Sequence, residues 1–386
     1  TAVGMLGEAA RQVGAIGQYG YYEAIDYTPD RVPEGQQMAV VQTFMAHHQG
    51  MSIAAIADAV LDGPLRAGFH DDPMVQATEL LLQERIPRNV VSTPLFVSAA
   101  AATRAQLPDL GEWRNANPWA PTPDTQLLSN GRYSVMMTAS GAGYATWRGM
   151  AVTRWREDAT RDDWGAWIYL RDTVSGEIWS AGLQPTGAPA NRYDVVFNED
   201  RVEITQLGLD LETTLEVIVS AEDDAEVRRI ALTNLGAKPR EIEVTSYVEL
   251  ALAPAAADIS HPAFSKLFIQ AEHLPTTGAL LAHRRRRSPS EPEIWAAHLA
   301  VLEGQGVGAR EFETDRARFI GRGGDVQAPM AIAGGRTLSG SVGTVIDPIF
   351  ALKRRVRVEP GRTARIAFWT MVGDSRDQLL VFIDKH

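Results

Sequence analysis

From about residue 129 onward, apolar and polar side chains alternate one for one, and that alternation limits the folds open to this chain. Leu209, Leu211, Thr213, Leu215, Val217 and Val219 alternate with Asp210, Glu212, Thr214, Glu216 and Ser220. Ile242, Val244, Val248, Leu250 and Leu252 alternate with Glu243, Thr245, Tyr247, Glu249 and Ala251, and Arg365 to Val372 is a further run. A period of two sends successive side chains to opposite faces of a strand and does not fit a helix face. Turn residues separate the runs: Ser175-Gly176, Asn198-Glu199-Asp200, Asn234-Leu235-Gly236 and Pro360-Gly361. Many short strands with no long helix between them predict a large antiparallel β-sandwich. Each strand would have one face in the core and the other toward water or a neighbour.

Before residue 90 the period is helical. Met38, Val41, Met45, Ile53, Ile56, Ala57 and Val60 recur at three-to-four spacing, and Asp62-Gly63-Pro64 ends the segment. Met74–Arg85 reads as another helix, opened by Pro73 and stopped by Pro87, and Gly4–Gly17 also reads as helical. Between Asn89 and Leu128, Pro94, Pro108, Pro118, Pro121 and Pro123 punctuate an Ala- and Thr-rich stretch that reads as an extended surface linker. Trp113 and Trp119 suggest that it is docked, since exposed tryptophans are unfavourable. At ~150 residues per domain, 386 residues allow two to three domains. The expected organisation is helical over 1–88, linker over 89–127 and sandwich over 128–386. The helical part is short and glycine-containing and reads as the tail of a larger helical domain.

Composition closes several functional classes. With no cysteine there can be no disulfide, thiolate nucleophile or Cys-ligated metal. A net charge of -11 is unsuited to nucleic acid, whose phosphates need a basic face. The run Arg284–Arg287 is a local exception and reads as a solvated loop. No apolar run approaches the ~18 residues a membrane span needs, and the longest candidate, Met51–Leu61, is broken by Asp58. No signal peptide is visible. No dinucleotide, P-loop, nucleophile-elbow or zinc signature occurs.

Three clusters carry potential chemistry. The first is Tyr19 to Pro29, with Tyr21, Tyr22, Tyr27, Glu23 and Asp26. Aromatic faces suit the C–H side of a pyranose ring and carboxylates suit its hydroxyls. Glu23 and Asp26 are three apart, which on a helix makes them neighbours rather than groups flanking a scissile bond. A capped, aromatic-packed turn is the structural alternative. The second cluster is Phe44 to Ser52, with His47, His48 and Gln49. Adjacent histidines cannot share a helix face, so no metal site is expected. A helix break at Gly50 would leave these three at a helix end as hydrogen-bond partners for hydroxyls, or as satisfied core groups. The third is Gly143 to Trp179, where Trp147, Trp155, Trp164, Trp167 and Trp179 interleave with Arg154, Arg156, Arg161 and several acids. It reads as a sandwich core with surface ion pairs, or as a stacked sugar platform of Trp155, Arg156 and Trp164.

These motifs resemble a known family over nearly the whole chain. Tyr19–Pro29, Phe44–Ser52 and Leu80–Pro87 are similar to the end of the glucoamylase-like domain of bacterial cyclic β-1,2-glucan synthases. Asn130–Tyr133, Gly141–Tyr144, Val152–Asp158, Tyr169–Asp172, Ile178–Ser180 with Gln184-Pro185, and His261–Phe268 resemble the β-sandwich of glycosyltransferase family 36 and glycoside hydrolase family 94. The resemblance implies a short piece of an α/α toroid followed by a supersandwich. The parent would be a large membrane-anchored enzyme at the cytoplasmic side of the bacterial inner membrane. Its domains would polymerise glucose, close the chain into a ring and control its length. The catalytic glutamates of the toroid would lie upstream of Thr1 and the phosphorylase aspartate beyond His386. The chain then holds no complete active site and no catalytic residue, needs no cofactor or metal, and is soluble and inactive alone. Its substrate-binding residues would be Tyr22, Glu23, Asp26, His47, His48, Gln49, Trp155, Arg156 and Trp164. Its partners would be a glucan or glucooligosaccharide, the other domains of the parent and a second copy through the sandwich, with no nucleic acid and no direct membrane span. The alternative is a structural or dimerisation module without sugar binding of its own.

Overall fold

The computed structural model describes residues 2–33, 35–76, 114–120, 124–156, 164–289, 291–303 and 306–386. Most of the expected helix Met74–Arg85, the Leu80–Pro87 motif, Trp113, much of the expected linker and Arg161 lie outside them. The chain divides into two units, Thr1–Ala105 with Ser288–Ser290, and Gln106–Arg287 with Glu291–His386.

The first unit opens with helix α1 (Ala2–Val13), which ends before Gly14 at φ 68°. Two small antiparallel hairpins follow: β1 (Ile16–Gly17) with β2 (Gly20–Tyr21), and β3 (Ala24–Asp26) with β4 (Ala39–Val41). Helices α2 (Ala46–Val60) and α3 (Pro64–His70) complete it. The expected helix from Met38 therefore starts later. Val40 and Val41 are β-branched and pair across from Ile25 and Ala24, where stiff side chains suit a pleated pair. Met45 is the extended N-cap of α2. The helix runs unbroken through Gly50, contrary to the expected break. Gly63, at φ 80°, turns the chain and Pro64 opens α3. The Asp58 carboxylate, accepting from Leu65 N at 3.1 Å and Arg66 Nε at 2.6 Å, ties the two helices. Among the described residues of this unit the only buried hydrophobic side chains are Ala10 and Ala15.

The second unit is two antiparallel sheets. The first contains β6 (Thr125–Ser129), β7 (Tyr133–Thr138), β8 (Gly143–Trp147), β9 (Met150–Thr153), β10 (Trp167–Asp172), β11 (Ile178–Ser180), β16 (Arg240–Pro254), β20 (Gly306–Asp315) and β22 (Pro348–Val358). The second contains β5 (Arg114–Asn115), β12 (Arg192–Phe197), β13 (Arg201–Gly208), β14 (Leu211–Val219), β15 (Ala225–Asn234), β17 (Ile269–Leu274), β18 (Ala279–Arg284), β19 (Trp295–Glu303), β21 (Gly343–Thr344) and β23 (Thr363–Gly373). The alternation read from sequence sets the layers. Leu211, Leu215 and Val217 of β14 join the core while Glu212, Thr214 and Glu216 face outward. Leu209 belongs to the turn instead: Leu209 and Asp210 both take positive φ, 57° and 56°, the conformation that a two-residue hairpin loop needs.

The main core lies between the sheets, with Val135, Ile204, Ile230, Val244 and Phe368. A second cluster, with Tyr169, Tyr247 and Ile349, is completed by helices α6 (Arg316–Ile320) and α7 (Met330–Ala333) through Phe319 and Ile332. In the third, helix α8 (Arg376–Lys385) buries Leu379 and Ile383 with Leu281, Ala297 and Met371. Each of the larger of these side chains contributes about 1.5–3 kcal/mol by leaving water. His298 is the notable polar intruder. It stacks between Phe350 and Phe368 and is hydrogen-bonded to Ser246 at 2.8 Å and Thr370 at 3.1 Å. Burial pushes its pKa down to about 3, so it sits there neutral.

One irregularity positions the site below. β16 slips register against β9 between Leu250 and Ala253, and Leu252 takes φ 45°. The bulge ends the strand at Pro254, and helices α4 (Ala255–Ser260) and α5 (Pro262–Lys266) follow directly.

Candidate functional site

Arg154, Trp155 and Arg156 leave the end of β9, and α4 brings Asp258 back to meet them. Arg154 is buried and holds Asp258 in a fork, Nη2 to Oδ1 at 2.9 Å and Nε to Oδ2 at 3.0 Å. Its Nη1 reaches Glu249 and Asp347, each at 3.5 Å. Arg156 donates from Nη2 to Asp258 Oδ2 at 2.9 Å. Glu249 in turn accepts from the Tyr247 hydroxyl at 2.5 Å and Arg316 Nε at 2.8 Å, and Lys266 Nζ pairs with Asp347 at 2.8 Å. Burial pushes the Asp258 carboxyl up, but the Arg154 hydrogen bond and charge, then those of Arg156, outweigh it and hold the group below its ordinary value. Burial pushes Glu249 up as well, but the charge of Arg316, the hydrogen bonds from Tyr247 and Arg316 and the charge of Arg154 together hold it low. These carboxylates are therefore ionised acceptors and unsuited to general-acid work at neutral pH.

Beside this network lies a cleft of about 560 Å³, lined by Tyr144, Thr146, Trp155, Arg156, Asp258 and Ile259 among others. The Tyr144 and Trp155 rings stand 5.4 Å apart at their centroids. Arg156 lies over the Trp164 ring at 5.7 Å, and Gly143 N donates to Trp164 O at 3.0 Å. The three residues expected as a sugar platform, Trp155, Arg156 and Trp164, are thus brought together. Trp147 and Trp167 are buried instead, and Trp147 Nε1 donates to Asp224 at 2.7 Å. Half-exposed aromatic faces beside fixed charged donors and acceptors match what a pyranose presents, apolar C–H faces and a hydroxyl rim.

In the first unit the two aromatic and histidine motifs, distant in sequence, form one cluster. Glu23 bonds His48 Nδ1 through its carboxylate and Thr43 O through its backbone N–H at 3.1 Å. Tyr22 packs on Phe44 at 5.2 Å, and the His47 and His48 rings lie 3.9 Å apart. His47, His48 and Gln49 occupy the first turn of α2, and Gln49 N donates to Met45 O at 3.1 Å. Asp26 is separate. Its carboxylate accepts from Thr28 N at 2.8 Å and faces Arg31 at 3.8 Å, and these, the Thr28 bonds first, lower its pKa. Glu23 and Asp26 therefore do not act as a pair. Among the described residues no three His, Asp or Glu side chains gather as a metal-binding group.

Arg285, Arg286 and Arg287 are exposed and follow β18, as expected of a solvated loop, and the run departs from that expectation at Arg284. Arg284 ends β18 nearly buried, donating from Nη1 to Ser265 O at 2.9 Å, and the guanidiniums of Arg284, Arg285 and Arg287 surround the Phe268 ring at 5.3, 5.9 and 5.6 Å.

The family model for the glycosyl hydrolase 94 supersandwich domain matches residues 113–386. The chain belongs to that family. The supersandwich chain is 44% identical to the cyclic beta-(1,2)-glucan synthase NdvB of Rhizobium meliloti, over 97% of its own length and 13% of that protein. It is 25% identical to a solabiose phosphorylase of Paenibacillus borealis over 54% of its length and 25% of that enzyme. To an N,N'-diacetylchitobiose phosphorylase of Vibrio furnissii it is 24% identical over 70% of its length and 34% of that enzyme. The chain thus spans between about an eighth and a third of these carbohydrate-active relatives. Among its described residues no helix is long and apolar enough to cross a membrane.

Reasoning from sequence missed the residues that hold the supersandwich cleft in place: Asp258, Glu249, Arg316 and Asp347. Only chain reversal at the β16 bulge brings Asp258 to Arg154, and an aspartate in an Ala-rich segment gives no sign of it.

Proposed function

We propose that this chain is a carbohydrate-binding and scaffold segment of a cyclic β-1,2-glucan synthase and holds a glucan strand rather than cleaving it. The observation that carries the reading is the cleft in which Tyr144 and Trp155 stand beside Arg156 and Asp258. The 44% identity to NdvB over nearly the whole chain supports the choice of glucan. Trp155 and Trp164 supply stacking faces, and Arg156, anchored on Asp258, donates to hydroxyls. Tyr22, Glu23, His47, His48 and Gln49, with Asp26 at their edge, form a second glucan-lining surface on a helical segment of 1–88. A linker over 89–127 leads to the sandwich of 128–386. The parent is a membrane-anchored enzyme on the cytoplasmic side of the inner membrane, and catalysis belongs to its other domains.

Calorimetry with linear β-1,2-glucooligosaccharides of several lengths tests this. Saturable heat at millimolar ligand, lost at least tenfold in Trp155→Ala, is expected. No heat at any length overturns it. The second reading, a purely structural or dimerising module, is favoured by the apolar surface of α2, where Met51, Ile53, Ile56 and Val60 are exposed. A monomer in analytical ultracentrifugation counts against that reading.

A further inference from the structure

On β22, Phe350, Leu352, Val356 and Val358 form the core-facing row, and Arg354 stands in the same row. The residue is only 6% exposed. Its Nη1 donates to Lys353 O at 3.0 Å, whereas Nη2 is buried with no hydrogen-bond partner among the described residues. Among the described residues no carboxylate pairs with it. A buried guanidinium left this way is strongly destabilising unless something neutralises it.

The neighbouring strand is shaped around that charge. β20 pairs Val307 with Arg355 and Glu311 with Lys353, so Gly308, Ala309 and Arg310 bulge out opposite Arg354 alone. Gly308 supplies the positive φ, 77°, that the bulge needs. The bulge borders a cleft of about 490 Å³, which also includes Thr277, Leu302 and Gly306. Arg310 anchors its Nη1 on Thr277 O at 3.0 Å and, among the described residues, has no carboxylate partner. A Cβ at Gly278 would stand 3.4 Å from both Arg310 Nη1 and Arg354 Nη2, so the two guanidiniums converge on one point beside a residue with no side chain. Burial, then the charge of Arg310, pulls the Arg354 pKa down to about 10, which leaves it a cation at neutral pH. Arg355, also at the cleft, is already neutralised by Glu243 at 2.6 Å.

We propose that this cleft binds a phosphate-type oxyanion, free or carried on a sugar, between Arg354 and Arg310. A tetrahedral dianion brings the two guanidiniums more acceptor oxygens and more charge than a monocarboxylate does. The remaining volume leaves room for a carrier.

The test is a titration of the full chain with inorganic phosphate and with a hexose monophosphate, followed by calorimetry and thermal shift at constant ionic strength, with acetate and chloride as comparators. Saturable binding of phosphate with a raised Tm is expected. Tighter binding of the hexose monophosphate assigns a carried phosphate, and equal binding assigns the free ion. Arg310→Ala, at an exposed position, should fold and bind at least tenfold more weakly. Arg354→Lys, which keeps the charge and loses the fork, should also weaken binding. Arg192→Ala, elsewhere on the surface, should bind as the parent does. No saturable response to either phosphate, an equal response to acetate, or undiminished binding by Arg310→Ala overturns the proposal.

Discussion

Helix α2 and strand β14 both carry an apolar face that is plain in the sequence, and the fold treats them oppositely. Ile53, Ile56 and Val60 of α2 are each more than 60% exposed, whereas Leu211, Leu215 and Val217 of β14 are under 5%. A periodic pattern fixes which residues share a face. It does not say what covers that face. β14 is covered because its neighbours bring matching faces from the facing sheet, and apolar burial stabilises it at about 25 cal/mol per Å². In α2 the pattern is as regular, yet among the described residues no comparable core forms.

The contrast can be broken first at the buried charges, where the second unit has most to lose. Asp258→Ala leaves Arg154 and Arg156 without their shared carboxylate and should destabilise the sandwich by about 3 kcal/mol, read from chemical denaturation. A change below about 1 kcal/mol would show that Glu249 and Asp347 already suffice for Arg154.

The same chemistry in the two regions sharpens it next. Ile204→Ala, in the inter-sheet core, should cost about 2–5 kcal/mol. Ile56→Ala, on the exposed face of α2, should cost under about 0.5 kcal/mol. Equal costs would mean that α2 is covered in solution by something such as a second copy.

Acid should act on the sandwich through His298. Its folded pKa of about 3 lies below the ordinary value near 6.5, so the unfolded chain binds the proton more readily. Its contribution is fully present above pH 6.5 and is lost as pH falls from there toward 3, at about 1.4 kcal/mol per unit. Asp258 and Glu249, also held low, add a loss in the same direction below about pH 4. Denaturation midpoints across pH 4–8 should show the slope, and His298→Gln should flatten it.

The smallest effect is expected at the turn after β13. Leu209 and Asp210 both hold positive φ, which a glycine tolerates without strain. Leu209→Gly should leave stability unchanged or raise it by up to about 1 kcal/mol. A clear loss would mean that the Leu209 side chain contributes more by packing than it costs in strain.

What the sequence made legible follows the same physics. The strands of 211–219, 240–254 and 363–373 and the turns at Asn198–Asp200, Asn234–Gly236 and Pro360-Gly361 are read from alternation and turn residues, both local. The start of α2 differs from the expected one because Val41 and Met45 fall at helical spacing while Val40 and Val41 pair across a hairpin. Leu209 reads as strand from sequence because leucine gives no sign of a left-handed turn. The aromatic and arginine half of the cleft was visible as a cluster within a few tens of residues. Its carboxylate half was not, since Asp258 is about a hundred residues away and reaches Arg154 through a bulge that only the folded sheet specifies.

Trp155 should stand against bound glucan, and tryptophan fluorescence during titration with linear β-1,2-glucooligosaccharides tests this most directly. A saturable change is expected in the unsubstituted chain, one that survives Trp119→Ala and disappears in Trp155→Ala. A flat signal in the unsubstituted chain, or an undiminished one in Trp155→Ala, would contradict it.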